Sequence, residues 1–402
     1  MPETTETTEK TSARQLTVHH RGRLEQFGIY FGKMLRMFVY QSDWKVLPMA
    51  ALIAGLVGMV IRNMLCLSME GTLMACFALV MVCIWNGCFN SIQVICRERD
   101  VIKREHRSGM HISTYVASHM LYQAILCLLQ TGVTLYVTKI IGVQYPKAGL
   151  FTRWMIVDIG ISMFLITYAS DMMSLWVSCL AKNTTTAMTI MPFILIFQLV
   201  FSGGMLSLPE WSKPLQNFTI SAPGLKVLNT QCDYNNQPMT TLWNKVVDVW
   251  YEPLYTTVTL GQALDFLQND KNLPELEAIR SKKVSEAIPE TEIPELNAAV
   301  QSFVSDITVG QLIDTIAQDP EVQAKRDQSY EIHTTVGQII NLIGAEKVKA
   351  YMLYDVRGDN FNPDYELTVE NVGGYWLRLI GFVFIFAAFA TITLEFIDKD
   401  KR

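Results

Sequence analysis

The chain has 402 residues, half of them hydrophobic and only 18% charged, with a net charge of −5. That is lean in charge for a soluble protein of this length. Seven of the eight cysteines lie in or beside apolar runs and no CxxC spacing occurs, which excludes a disulfide framework and a cysteine metal site.

Residues 1–20 are rich in Thr and Glu and poor in apolar residues, so they read as a disordered linker. Their polar opening has no apolar stretch of the kind a cleavable leader needs. From 21 to 44 the pattern changes. Leu24, Phe27, Tyr30, Phe31, Met34, Met37 and Phe38 recur at helical spacing, with Arg23, Lys33 and Arg36 between them. This predicts an amphipathic connecting helix lying in the membrane interface, anchored at its end by Trp44 and Lys45.

Residues 45–206 carry five apolar runs, at 46–61, 72–96, 112–138, 154–180 and 187–206, and a sixth follows at 375–397. A bilayer core takes about 20 helical residues. All but the first run reach that length, and the first borrows neighbours such as Met64 and Leu65. Six transmembrane helices are therefore expected. Between the second and third, one short loop holds Arg97, Glu98, Arg99, Asp100, Lys103, Arg104, Glu105 and Arg107, and Gly109 follows. A charged elbow between two spans suits docking to a partner better than it suits chemistry.

Lys and Arg near the span ends number sixteen on one side and four on the other. The larger count marks the cytoplasmic face. Both termini are then cytoplasmic, residues 375–402 form the sixth helix and a cytoplasmic tail, and residues 207–374 are external. A cell (plasma) membrane location is expected.

Ionisable residues inside spans are functional candidates by default. Arg378 and Glu395 sit near span ends and can snorkel, and Asp158 near its span end can be met by Arg153 or water. Asp171 is deeper, beside Tyr168 and Ser174. It either lines an aqueous path or bonds to neighbouring hydroxyls. After the fifth run, Phe201, Gly203, Gly204, Pro209 and Trp211 mark a helix break whose following residues fold back into the interface.

The 207–374 segment contains three similar stretches opening on Thr259, Thr308 and Thr335, each followed three residues later by Gln262, Gln311 or Gln338. That is capping-box spacing and predicts three short Thr-capped helices. A proline-spaced charged stretch lies between the first and second. The expected fold is an all-α membrane protein with a large, mainly helical external insertion that begins re-entrantly.

No phosphate-binding glycine loop, nucleophile elbow or zinc-protease motif occurs, and the six histidines show no metal-ligand spacing. No catalytic residue, cofactor or metal is expected on this chain, and nucleic acid is not an expected partner.

The elbow RERDVIKREHRSGMHISTYVASHM resembles the R-E-R-x-x-x-x-R-E-x-x-x-G-M-Y-x-x-x-x-Y element of G-subfamily ABC exporter permeases, the white–brown and pleiotropic-drug-resistance type. FSGGMLSLPEWSKPLQNFTISAPGLKVLN is similar to their stretch after the fifth span, and RLEQFGIYFGKMLRMFVYQSDW looks like their connecting helix. His111 stands where that pattern often has Tyr, and the 207–374 segment is longer than the family's. The resemblance implies two six-span halves, identical or mixed, and an ATPase domain or subunit, fused upstream or separate, on which ATP is bound. It implies that Arg97, Glu98, Arg99, Arg104, Glu105 and Gly109 form the ATPase-coupling elbow. It also implies a translocation path between the halves, and an external gate formed by the stretch after Phe201. The alternative is a membrane-anchored receptor or scaffold acting through 207–374.

Overall fold

The computed structural model describes residues 22–40, 43–204, 206, 208–269, 274–284 and 307–396. The linker at 1–20, most of the proline-spaced stretch and the tail beyond 396 lie outside the described residues. The chain divides into two compact units. One comprises the chain up to Leu65, Leu73–Cys232 and the chain from Leu367; the other comprises Cys66–Thr72 and Asp233–Glu366. The longer segment of the second unit runs from Asp233 to Glu366.

In the first unit, α1 (Arg23–Tyr40) forms over the amphipathic stretch, buries Met34 and packs on α5 (Ile112–Ile141). Three further long helices are α2 (Val46–Ile61), α3 (Met69–Ser91) and α6 (Met155–Leu180), and Val369–Glu395 forms the last span. Burial ranks them. In their most apolar windows α3 and α6 are 61% and 67% buried, against 22% for α2 and 33% for α5 and the last span. Thus α3 and α6 form the centre, and the others leave apolar faces open, as lipid-facing helices do.

At one point α3 and α6 touch backbone to backbone. A Cβ on Gly87 would lie 2.2 Å from the Thr167 carbonyl oxygen. Only glycine fits there, as at close helix crossings in membranes.

One expectation needs correction. The charged stretch after the second span is not a loop but a helix, α4 (Val94–Arg107), set off from α3 by a two-residue break. Its Arg, Lys, Glu and Ile residues are adequate to strong helix formers, and no Gly or Pro interrupts them. Gly109, at φ 101°, ends it. There the Gly109 N–H donates to the His106 carbonyl and the Met110 N–H to the Glu105 carbonyl, the paired bonds of a Schellman stop.

The expected span number is met in part. Five helices are long and apolar enough to cross a membrane, whereas α7 (Thr184–Val200) has 17 residues. It opens on Asn183, whose side chain accepts from the Thr186 N–H at 2.8 Å. It stops at Phe201, and Gly203 at φ 75° turns the chain away. A 3₁₀ segment (Glu210–Phe218) leads into α8 (Ser221–Gln231), a helix buried at ten of its eleven positions between α6 and the last span.

The second unit is not purely helical. β1 (Pro253–Thr259) and β2 (Ser329–Thr335) pair antiparallel, with Pro253 opposite Thr335 and Thr259 opposite Ser329. Their sequences, PLYTTVT and SYEIHTT, are rich in the β-branched and aromatic residues that strands favour. Thr259 and Thr335 each end a strand and cap the helix that follows, Leu260–Asn269 and Val336–Ile343. Thr308 does the same for Val309–Gln318. All three boxes are reciprocal, the Gln side chain accepting from the Thr backbone N–H at 3.1 Å each time. The helix Thr241–Asp248 is closed differently. The Glu70 carboxylate accepts from the N–H and hydroxyl groups of both Thr240 and Thr241.

Candidate functional site

Successive residues turn by about 100° along an α-helix, so Arg97, Asp100, Arg104 and Arg107 of α4 lie within about 80° of one another. All four are exposed. The other charged residues of the elbow point elsewhere and do different work.

Glu98 and Glu105 turn toward α1. Lys33 Nζ lies 3.3 Å from Glu98 Oε2 and 3.8 Å from Glu105 Oε1, so a single lysine braces two turns of α4. Tyr30 stands in the same cleft. Burial, then the Glu105 charge, pushes its hydroxyl up to about 12, so it remains a hydrogen-bond donor. One turn earlier on α1, the Gln26 side chain donates to the Gly109 carbonyl at 3.2 Å and accepts from the His111 N–H at 3.0 Å. The connecting helix thus holds both α4 and the link from α4 into α5.

Arg99 reaches α6. Its Nη1 donates to the Cys179 and Ala181 carbonyls at 2.9 and 3.1 Å. The last carbonyls of a helix have no partner within it and carry partial negative charge, so a guanidinium there closes the end and suits its dipole. The exchange is mutual. Ser178 of α6 accepts from the Ile95 and Cys96 N–H groups, at 3.1 and 3.2 Å, which are unpaired donors of the first turn of α4. Each helix closes an end of the other, so α4 and the lower end of α6 are one mechanical piece.

Four to ten residues before Ser178 on α6 lies the interior polar group. Tyr168 donates to the Met120 carbonyl of α5 at 3.0 Å. The Ser174 hydroxyl donates to the Asp171 carbonyl at 2.8 Å, within its own helix. Both hydroxyls are therefore engaged by backbone. Asp171 is fully buried, and neither of its carboxylate oxygens has a hydrogen bond of good geometry among the described residues. The neighbouring hydroxyl that interacts with its carboxyl is that of Ser91 on α3, and not those of Tyr168 and Ser174.

Around it the spans are joined by amides that a search for charges passes over. Asn90 of α3 and Gln130 of α5 exchange two hydrogen bonds, at 2.8 and 3.0 Å, and Gln123 donates to Ser91 at 2.8 Å. Amides in apolar runs bond between helices in membranes, and that was the available signal. Asp158 is met by backbone. Its carboxylate accepts from the N–H groups of Leu150, Phe151 and Thr152, folding the turn that leads into α6.

The residues after Phe201 build the return. A Cβ on Gly204 would meet Leu225 of α8 at 2.6 Å, so this glycine allows α8 to dock. Pro209 precedes the 3₁₀ segment, and Trp211 is exposed. What fixes α8 is Gln198, which the sequence reading omitted. Its Oε1 accepts from the Ile220 and Ser221 N–H groups at 2.9 and 3.1 Å, and its carbonyl accepts from the Ser221 hydroxyl at 2.6 Å.

A multi-pass helical membrane protein, with a charged helix braced against its connecting helix and its central span, is the class these features define. Residues 27–221 match the family model of the ABC-2 type transporter. The match covers α1 through the start of α8. It indicates the permease, the non-catalytic membrane half of an ABC transporter; such domains generally work with an ABC ATPase and often dimerise. No curated protein matches the chain.

Proposed function

We propose that the chain is the membrane half of an ATP-driven exporter of the G-subfamily type, pairing with a second half to form the translocation path. In this reading α7 is the fifth of six spans, completed by the buried return through α8. The termini are cytoplasmic, the protein sits in the plasma membrane, and residues 207–374 are external. ATP is bound and hydrolysed by a partner or fused ATPase.

The observation that carries the reading is the division of labour on α4. Arg97, Asp100, Arg104 and Arg107 stand exposed on one face, while Lys33, Gln26 and Ser178 hold the helix from the other sides. A push on the exposed face would move α4, α1 and the end of α6 together. Asp171, on α6, is then the residue that such a movement would open to a path. The ABC-2 match favours this reading and gives the receptor alternative no support.

The test is purification of the membrane-assembled protein in mild detergent, with ATPase activity and substrate movement both measured. Arg104→Ala is expected to leave insertion and assembly intact and to lower substrate movement per ATP hydrolysed. The absence of any ATPase, bound or fused, would overturn the reading.

A further inference from the structure

Between α8, the 3₁₀ segment and the last span lies a cavity of about 720 Å³ that plays no part in the coupling described above. Such a volume suits a bound amphiphile. Its walls are chemically divided. Lys226 of α8 and Arg378 of the last span supply two cations, and Phe218, Phe382, Phe386 and Phe389 supply aromatic surface. On the last span these residues form a single stripe. Arg378, Phe382, Phe386 and Phe389 follow at steps of four, four and three, so the cation heads a row of rings on one helix face.

The row is built to stay in place. Phe386 stacks on Phe382 at 5.9 Å and on Trp176 at 5.8 Å, and Trp176 also packs on Phe389 at 5.3 Å. Arg378 lies 5.8 Å over the Tyr375 ring and has no carboxylate in ion-pair range among the described residues. From Arg378 to Phe389 the helix rises about 16 Å, close to half of a hydrocarbon core about 30 Å thick. The groove therefore has about the length of one leaflet.

We infer that this groove binds a bilayer lipid with an anionic headgroup, the phosphate at Lys226 and Arg378 and an acyl chain along Phe382, Phe386 and Phe389. Charge complementarity selects the lipid over the other occupants. A second copy of the chain, docking symmetrically, would bring the same cationic patch toward itself. A soluble phosphate would leave the aromatic wall unused.

The inference does not depend on ATP coupling, and its test uses none. The full chain is placed in nanodiscs of phosphatidylcholine containing a trace of photoactivatable phosphatidylglycerol, or of phosphatidylcholine with the same photoactivatable chain. Labelled peptides are mapped by mass spectrometry. The anionic probe is expected to label 378–389 several-fold more than the zwitterionic one. Arg378→Gln or Lys226→Gln should each cut that labelling about fivefold and the pair about thirtyfold. Arg378→Lys should retain it, which separates loss of charge from loss of fold. Soluble glycerol phosphate in excess should not compete. Equal labelling by both probes, indifference to the substitutions, displacement by glycerol phosphate, or chain-to-chain cross-linking at Phe386 would each overturn the lipid assignment.

Discussion

Three helix ends of the first unit and the three Thr-opened helices of the second unit solve the same problem in opposite ways. Every helix leaves unpaired N–H groups at one end and carbonyls at the other. In the second unit, Thr259, Thr308 and Thr335 close their own helices with the Gln three positions on. At three helix ends of the first unit the closing group comes from far along the chain, Ser178 for α4, Arg99 for α6 and Gln198 for α8, while α7 and the last span keep local caps in Asn183 and Thr368. A local cap stabilises one helix and says nothing to its neighbours. A distant cap makes two helices move as one, which suits a machine that must carry a push from one place to another.

Substitutions can break this contrast, and the largest effect belongs to Arg99. Arg99→Leu leaves two carbonyls at the end of α6 without their charged donor and is expected to destabilise the protein by about 3 kcal/mol. Thermal unfolding in detergent measures it, and a loss no larger than that of a Thr cap would erase the distinction. Gln198→Leu comes next, at about 2 kcal/mol. Its mark should be local, with faster hydrogen exchange at Ile220 and Ser221 while α4 stays protected. Ser178→Ala should cost about 1.5 kcal/mol, and combined with Arg99→Leu it should depart from additivity by more than about 0.5 kcal/mol, because the two act on one joint. Smallest are Thr308→Ala and Thr335→Ala, about 1 kcal/mol each and additive. Should that pair prove strongly coupled, the second unit is not assembled from independent caps.

The same contrast explains what the sequence revealed. Thr and Gln three residues apart are visible in a string of letters, and all three boxes form as their spacing predicts. Apolar runs long enough for a bilayer are equally visible. What the sequence hid lies at large separations. Arg99 looked like one more docking charge, since only the fold brings it to Cys179 and Ala181, eighty residues on. The strand pair went unseen because PLYTTVT and SYEIHTT lie far apart, and each is flanked by stronger helical signals. α4 was mistaken for a loop because a dense charge cluster reads as solvent-exposed, and exposure alone does not distinguish a coil from a surface helix.

The register of β1 and β2 has a practical corollary. Thr259 faces Ser329 at the end of the ladder, so the chain leaves for residues 260–328 and returns to its point of departure. The two ends of that segment therefore sit side by side, although its helix Pro274–Ser281 also packs on Val336–Ile343. A two-residue Asn-Gly turn could close the gap and turn the ladder into an ordinary hairpin. A fluorescent or affinity cassette spliced in its place would load neither strand. The protein thus offers a port for cargo of the experimenter's choosing, outside the residues on which its proposed work depends.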